Sequence, residues 1–117
     1  MPKNRFWLNE TKITMNRIPK SFTVGGQDMD VLMVDTIPND RMGECTLWNG
    51  NISIARTYKG FPQTQSSQYN TFFHELTHAV LDTMGEYELS QNERFVCTFA
   101  SLLTEAVRSF KYEEDGE

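Results

Sequence analysis

Histidine is nearly absent from this chain of 117 residues; there are two, His74 and His78. Cysteine is as scarce, with only Cys45 and Cys97. Two cysteines cannot supply the multiple bridges of a disulfide-stapled scaffold, and both are expected as thiols. Basic runs are missing, and the formal net charge is −5. That balance removes the electrostatic case for nucleic-acid binding and for an anionic membrane surface. No apolar run approaches the roughly 20 residues that cross a bilayer. Residues 1–10 carry no apolar leader core, which sets the expectation of a cytoplasmic protein. Neither an internal repeat nor a low-complexity linker divides the sequence. A chain of this length accommodates one domain, 1–117, with one modest core.

The aromatic supply for that core is ample, with eight Phe, four Tyr and two Trp. Residues 1–18 are weakly patterned, and their Phe6-Trp7-Leu8 cluster is expected to pack on the body. Ser21 to Val24 alternates like a strand and runs into the turn signal Gly25-Gly26. Met29 to Val34 is rich in β-formers. Residues 35–43 contain Pro38, Asn39, Asp40 and Gly43 and read as a loop. Glu44 to Trp48 and Ile52 to Arg56 flank Asn49-Gly50-Asn51, a hairpin signal because Asn and Gly accept positive φ. The first half is therefore expected to form a small, mainly antiparallel sheet of three to four strands. Ile52 to Arg56 reads either as an ordinary core strand or as an edge strand that could bind an extended peptide by strand addition.

A helix is expected from a cap at Ser66 or Ser67 to about Met84, stopped by Gly85. At 100° per residue, Phe73, Leu76, Val80 and Met84 form its apolar face. His74, His78, Thr71 and Asp82 fall on another side, with Glu75 beside them. A last helix is expected to open at Ser90-Gln91-Asn92-Glu93 and reach about Lys111. Its stripe is Val96, Phe99, Ala100, Leu103, Ala106, Val107 and Phe110. Residues 112–117 form an acidic tail. The architecture implied is α+β, a small sheet followed by two helices.

The two histidines stand in His74-Glu75-Leu76-Thr77-His78. On a helix, positions four apart share a face about one turn apart, so both imidazoles can reach one metal ion. The glutamate after the first histidine is then placed as a general base. This is the H-E-x-x-H pattern of zinc peptidases. A catalytic zinc takes three protein ligands, and no histidine remains. Glu93, at the start of the last helix, is the expected third ligand, since a returning helix brings it over the motif. Asp82, Glu86, Glu88 and Cys97 compete. Asp82 is about 12 Å along the helix from His74, too far to share the ion, and suits a supporting role. Ser90 and Glu93 also fit a capping box, the bland alternative for Glu93. With zinc in place, its bound water would be acidified and Glu75 would take the proton. Candidates for stabilising the oxyanion are Tyr58, Tyr69, Tyr87, Arg56 and Arg94, with Tyr87 and Tyr69 favoured for flanking the motif helix.

With the motif, the preceding hairpin and the following helical glutamate, the chain resembles gluzincin-type zincin metallopeptidases. It is most similar to the small single-domain forms, the minigluzincins and the ImmA/IrrE-like proteins of bacteria and their phages. The stretch Thr71-Phe72-Phe73-His74-Glu75-Leu76-Thr77-His78-Ala79-Val80-Leu81, followed by Asn92-Glu93-Arg94-Phe95-Val96, carries the likeness. It implies a zincin-like fold, zinc bound by His74, His78 and Glu93, Glu75 as general base, and a peptide or protein substrate. It further implies that the last strand of the sheet borders the cleft. Larger gluzincins often have an aspartate four residues after the ligand glutamate; here that position is Cys97. The acidic tail could cover the cleft, in which case deleting residues 112–117 should raise activity. A rival expectation is a zincin-fold binding module that keeps zinc structurally and sequesters a partner protein.

Overall fold

The computed structural model describes residues 18–113. The Phe6-Trp7-Leu8 cluster and the tail from Glu114 onward lie outside them. The described chain is α+β, a four-stranded mixed sheet followed by helices.

Strands β1 (Ser21–Val24) and β2 (Gln27–Val34) form the expected hairpin. Gly25 and Gly26 both sit at positive φ, 57° and 82°, which a two-residue hairpin turn demands and a side chain resists. Strand β3 (Gly43–Thr46) pairs antiparallel with β4 (Asn51–Ala55) across a 3₁₀ turn, Leu47–Asn49, and left-handed Gly50. The order across the sheet is β1-β2-β4-β3. The expected, mainly antiparallel arrangement is corrected at its centre, where β2 and β4 run parallel. After β2 the chain passes beyond the place β4 will fill, lays down β3 outside it, and turns back between them. Hence β4 is an inner strand with both edges paired, and Ile52 and Ile54 are fully buried. The edge-strand reading of Ile52 to Arg56 fails for that reason; β3 is the edge. A second small sheet joins β5 (Thr57–Tyr58) to β6 (Phe61–Pro62).

Helix α1 (Gln65–Met84) packs its inner face against the sheet. Its cap is Thr64, whose hydroxyl accepts from the Ser67 amide at 3.0 Å, two to three residues earlier than the expected Ser66 or Ser67. Gly85 ends the helix at φ 82°, as the sequence indicated. The buried stripe is centred on Phe72, Leu76 and Ala79, and Phe72 meets Phe22 edge-to-face at 5.9 Å. Val80 and Met84 are exposed, correcting the expected face. The small Ala79, outside the expected face, is fully buried instead.

The expected final helix is divided. Helix α2 (Tyr87–Ser90) is a single turn, and α3 (Glu93–Arg108) starts afresh. Asn92 caps α3, its side-chain oxygen accepting from the Phe95 amide at 3.1 Å. The Ser90–Glu93 capping box therefore does not form. On α3, Val96, Ala100, Leu103 and Val107 face the core, whereas Phe99 and the following Phe110 are exposed.

Gln63 ties the layers together beside the site. Its amide nitrogen donates to the carbonyls of Ala55 (2.6 Å) and Met42 (3.3 Å). Its amide oxygen accepts from the Ser67 and Thr71 hydroxyls. The end of β4, the approach to β3 and the start of α1 are thus held by one side chain.

Candidate metal centre

Helix α1 lies behind β3, and the two run in the same direction. Gly43 abuts Thr71 and Glu75, and the next inward residue, Cys45, feels both Glu75 and Asp82. The outer side of α1 and edge strand β3 wall a cleft of about 1240 Å³, closed at one side by α2 and the start of α3. His74, Glu75, His78 and Glu93 all open onto it.

The break between α2 and α3 is what brings Glu93 over the motif. One Glu93 carboxylate oxygen is 3.6 Å from His74 Nε2 and the other 3.8 Å from His78 Nε2. The two imidazole centroids are 5.0 Å apart. Ligand atoms of the three residues lie within 4.8 Å of one another, a group that could hold a metal ion. Donors at 2.0–2.1 Å around a tetrahedral ion stand about 3.3 Å apart, so small side-chain movements close the set. Burial and the neighbouring His78 push the His74 pKa down, against an opposing pull from Glu93. His74 is then neutral near pH 7, and its approach to Glu93 is that of two potential ligands rather than of an ion pair.

The far ring nitrogens have partners that the sequence did not reveal. His78 Nδ1 is 3.0 Å from the hydroxyl of buried Ser90. With Nε2 given to a metal, the proton sits on Nδ1, which then donates to Ser90 Oγ and fixes the ring. Among the described residues, His74 Nδ1 has only Cys97 Sγ at 3.9 Å, which also lies 3.9 Å from Glu93. Both roles depend on tertiary approach; the one sequence signal was the coincidence of Ser90 and Cys97 with the ligand segment.

Glu75 is set apart from the ligand group. It is 7% exposed, opens onto the cleft, and makes no hydrogen bond to another described residue. Space for its side chain exists because Gly43 has none; a Cβ there would meet Glu75 Oε2 at 3.1 Å. Burial, with Glu93 and Glu44 adding to it, pushes its carboxyl up to about 7, while Arg41 acts in the opposite sense. Such a carboxyl can exchange a proton near neutrality.

The remaining sequence candidates separate cleanly. Tyr58 and Tyr87 line the cleft. Tyr69 is buried in the core, stacked on Phe73, so it is not placed at the cleft. Arg56 faces Asp35 at 3.3 Å, and neither Arg56 nor Arg94 lines the cleft. Arg41, not singled out in the sequence, is the one cation lining it among the described residues. Asp82 and Cys97 line it without joining the ligand group, and Glu86 and Glu88 are exposed. No helix among the described residues is long and apolar enough to cross a membrane. No protein-family model matches the chain, and no characterised protein or solved structure is significantly similar to it.

Proposed function

We propose that this protein is a zinc-dependent peptidase of zincin type. The observation that carries the reading is the separation of roles in one cleft. Three donors converge, while a fourth carboxylate, Glu75, is largely buried beside them, opens onto the cleft and has no hydrogen bond to a described residue. A purely structural metal site has no use for that unpartnered carboxylate. Two imidazole nitrogens and one carboxylate suit zinc and leave room for a non-protein ligand. A zinc ion held there supplies Lewis acidity, making water a stronger acid and polarising a peptide carbonyl.

The chain's own residues supply the rest. His74, His78 and Glu93 hold the ion, and Ser90 orients His78. Glu75 accepts a proton from the attacking water at a carboxylate oxygen and passes it to the departing amine. Charge developing on the carbonyl oxygen has a candidate donor in the Tyr58 hydroxyl or the Arg41 guanidinium, which line the same cleft. The free edge of β3 runs along the cleft wall and can align an extended substrate.

Glu75→Gln is the test. The substitution preserves size, and the ligand group is untouched. The expected outcome is loss of casein or peptide hydrolysis with zinc content and melting temperature retained. Hydrolysis persisting in Glu75→Gln would refute the assigned role. A protein that never cleaves but keeps a cellular effect after this change is the sequestering module instead.

A further inference from the structure

Beyond the ligand group the cleft has two dissimilar ends. Near Gly43 stands Arg41, 3.5 Å from Glu44, so charge there is largely compensated. The other end is reached by following α1 and β3 in their shared direction. Asp82 is one turn past His78 on α1. Leu47 and Trp48 follow Cys45 beyond the end of β3, and the Leu47 carbonyl is held by Gln27 at 2.6 Å. Tyr87 opens α2 just after Gly85 ends α1. Asp82, Trp48 and Tyr87 all line the cleft.

The Asp82 carboxylate makes no hydrogen bond or ion pair with another described residue. Its charge helps to push up the thiol of Cys45 on β3, after burial and Glu75. Trp48 is 86% and Tyr87 63% exposed, large ring faces left in solvent on the rim. A carboxylate without a partner among the described residues, lining one cleft with two exposed aromatic rings, is complementary to one chemical class, a lysine or arginine side chain. The carboxylate meets its charge, and the rings meet its stem and its cationic head.

We infer that Asp82, with Trp48 and Tyr87, forms a specificity pocket for a basic side chain of the substrate peptide. The inference rests on the peptidase reading for its reaction, though not for its binding chemistry. Four residues of helix place Asp82 about 6 Å along the axis from His78. An extended peptide covers that distance in about two residues. The basic residue thus lies within two positions of the bond that is cut.

The full-length zinc-loaded chain is incubated with a proteome-derived peptide mixture, and cut sites are read by mass spectrometry. Asp82→Asn and Asp82→Lys are compared with wild type. Asp30→Asn removes an equal charge from the sheet face opposite Met29 and serves as the control. Wild type and Asp30→Asn should show Lys or Arg enriched at one position within two residues of the cut. Asp82→Asn should lose about tenfold of that preference, and Asp82→Lys should shift it toward Asp and Glu. Cut sites without basic enrichment, or enrichment unchanged in Asp82→Lys, overturn the pocket. No cleavage by any form refutes the peptidase reading alone, and binding then decides the pocket. Anisotropy of fluorescein-labelled Ala-Lys-Ala-Ala against Ala-Glu-Ala-Ala should favour the lysine peptide in wild type and Asp30→Asn, but not in Asp82→Lys. Equal affinity for both peptides in wild type overturns it.

Discussion

Substituting Gly43 by alanine should disturb the wall behind the general base. The backbone there is outside the left-handed region, so alanine is not opposed by φ. Space opposes it. The new methyl carbon would sit 2.5 Å from Thr71 Cγ2 and 3.0 Å from Glu75 Cγ. Ordinary carbon contacts begin about 1 Å farther out than the first of these. Inserting a methyl into packed surroundings costs about 1–3 kcal/mol. Restricting the unfolded chain returns about 0.4–1 kcal/mol. The net expectation is a destabilisation of about 1–2 kcal/mol, or a melting temperature lowered by about 5–15 °C. Because the tightest contact is the Thr71 methyl, Thr71→Ser should recover part of the loss in the double variant. The serine hydroxyl can still donate to Gln63 as threonine does at 3.3 Å. Thermal melts of the four proteins in a double-mutant cycle give the coupling. An unchanged melting temperature in Gly43→Ala, or no coupling with Thr71→Ser, would refute the close packing of β3 on α1.

Ser90→Ala removes the partner of His78 Nδ1 without touching a ligand, so zinc affinity should fall about tenfold while the fold persists; competition with a chromophoric chelator measures it. The Cys45 thiol is pushed up to about 12 by burial, then by Glu75 and Asp82. Folded Cys45 therefore keeps its proton above pH 9, where the unfolded chain begins to lose its own, and stability must fall as pH rises from 9 toward 12. Cys45→Ala should flatten that decline in denaturant titrations at a series of pH values; parallel slopes would contradict it. At pH 8, exposed Cys97 should react with a disulfide reagent before Cys45 does, as read by mass spectrometry of the labelled peptides.

Local chemistry made several features legible. The positive φ values at Gly25, Gly26, Gly50 and Gly85 are demands that sequence states directly, and they located two hairpins and the end of α1. The four-residue spacing of His74 and His78 fixed their shared face before any tertiary contact was known. Partner choice between distant strands is different. Nothing in Asn51–Ala55 says that it enters between β2 and β3, because that order follows from chain crossing and burial rather than from its own pattern. The same limit hid Ser90. Its sequence neighbours suggested a cap for α3, but Asn92 took that role and freed the Ser90 hydroxyl for His78. Gly43 and Arg41 were also invisible, as their importance lies in what α1 brings alongside. Tyr69 failed as a cleft residue because its side of α1 faces the core.

The central claim is that His74, His78 and Glu93 bind one zinc ion. Elemental mass spectrometry of the full-length chain, purified without chelators or a metal-affinity column, tests it most directly. The account predicts about one zinc per chain, lost from His74→Ala and reduced in Glu93→Gln, with Asp82→Asn unaffected. Zinc far below stoichiometry that does not rise on addition of the ion, in a protein that is folded, would contradict it.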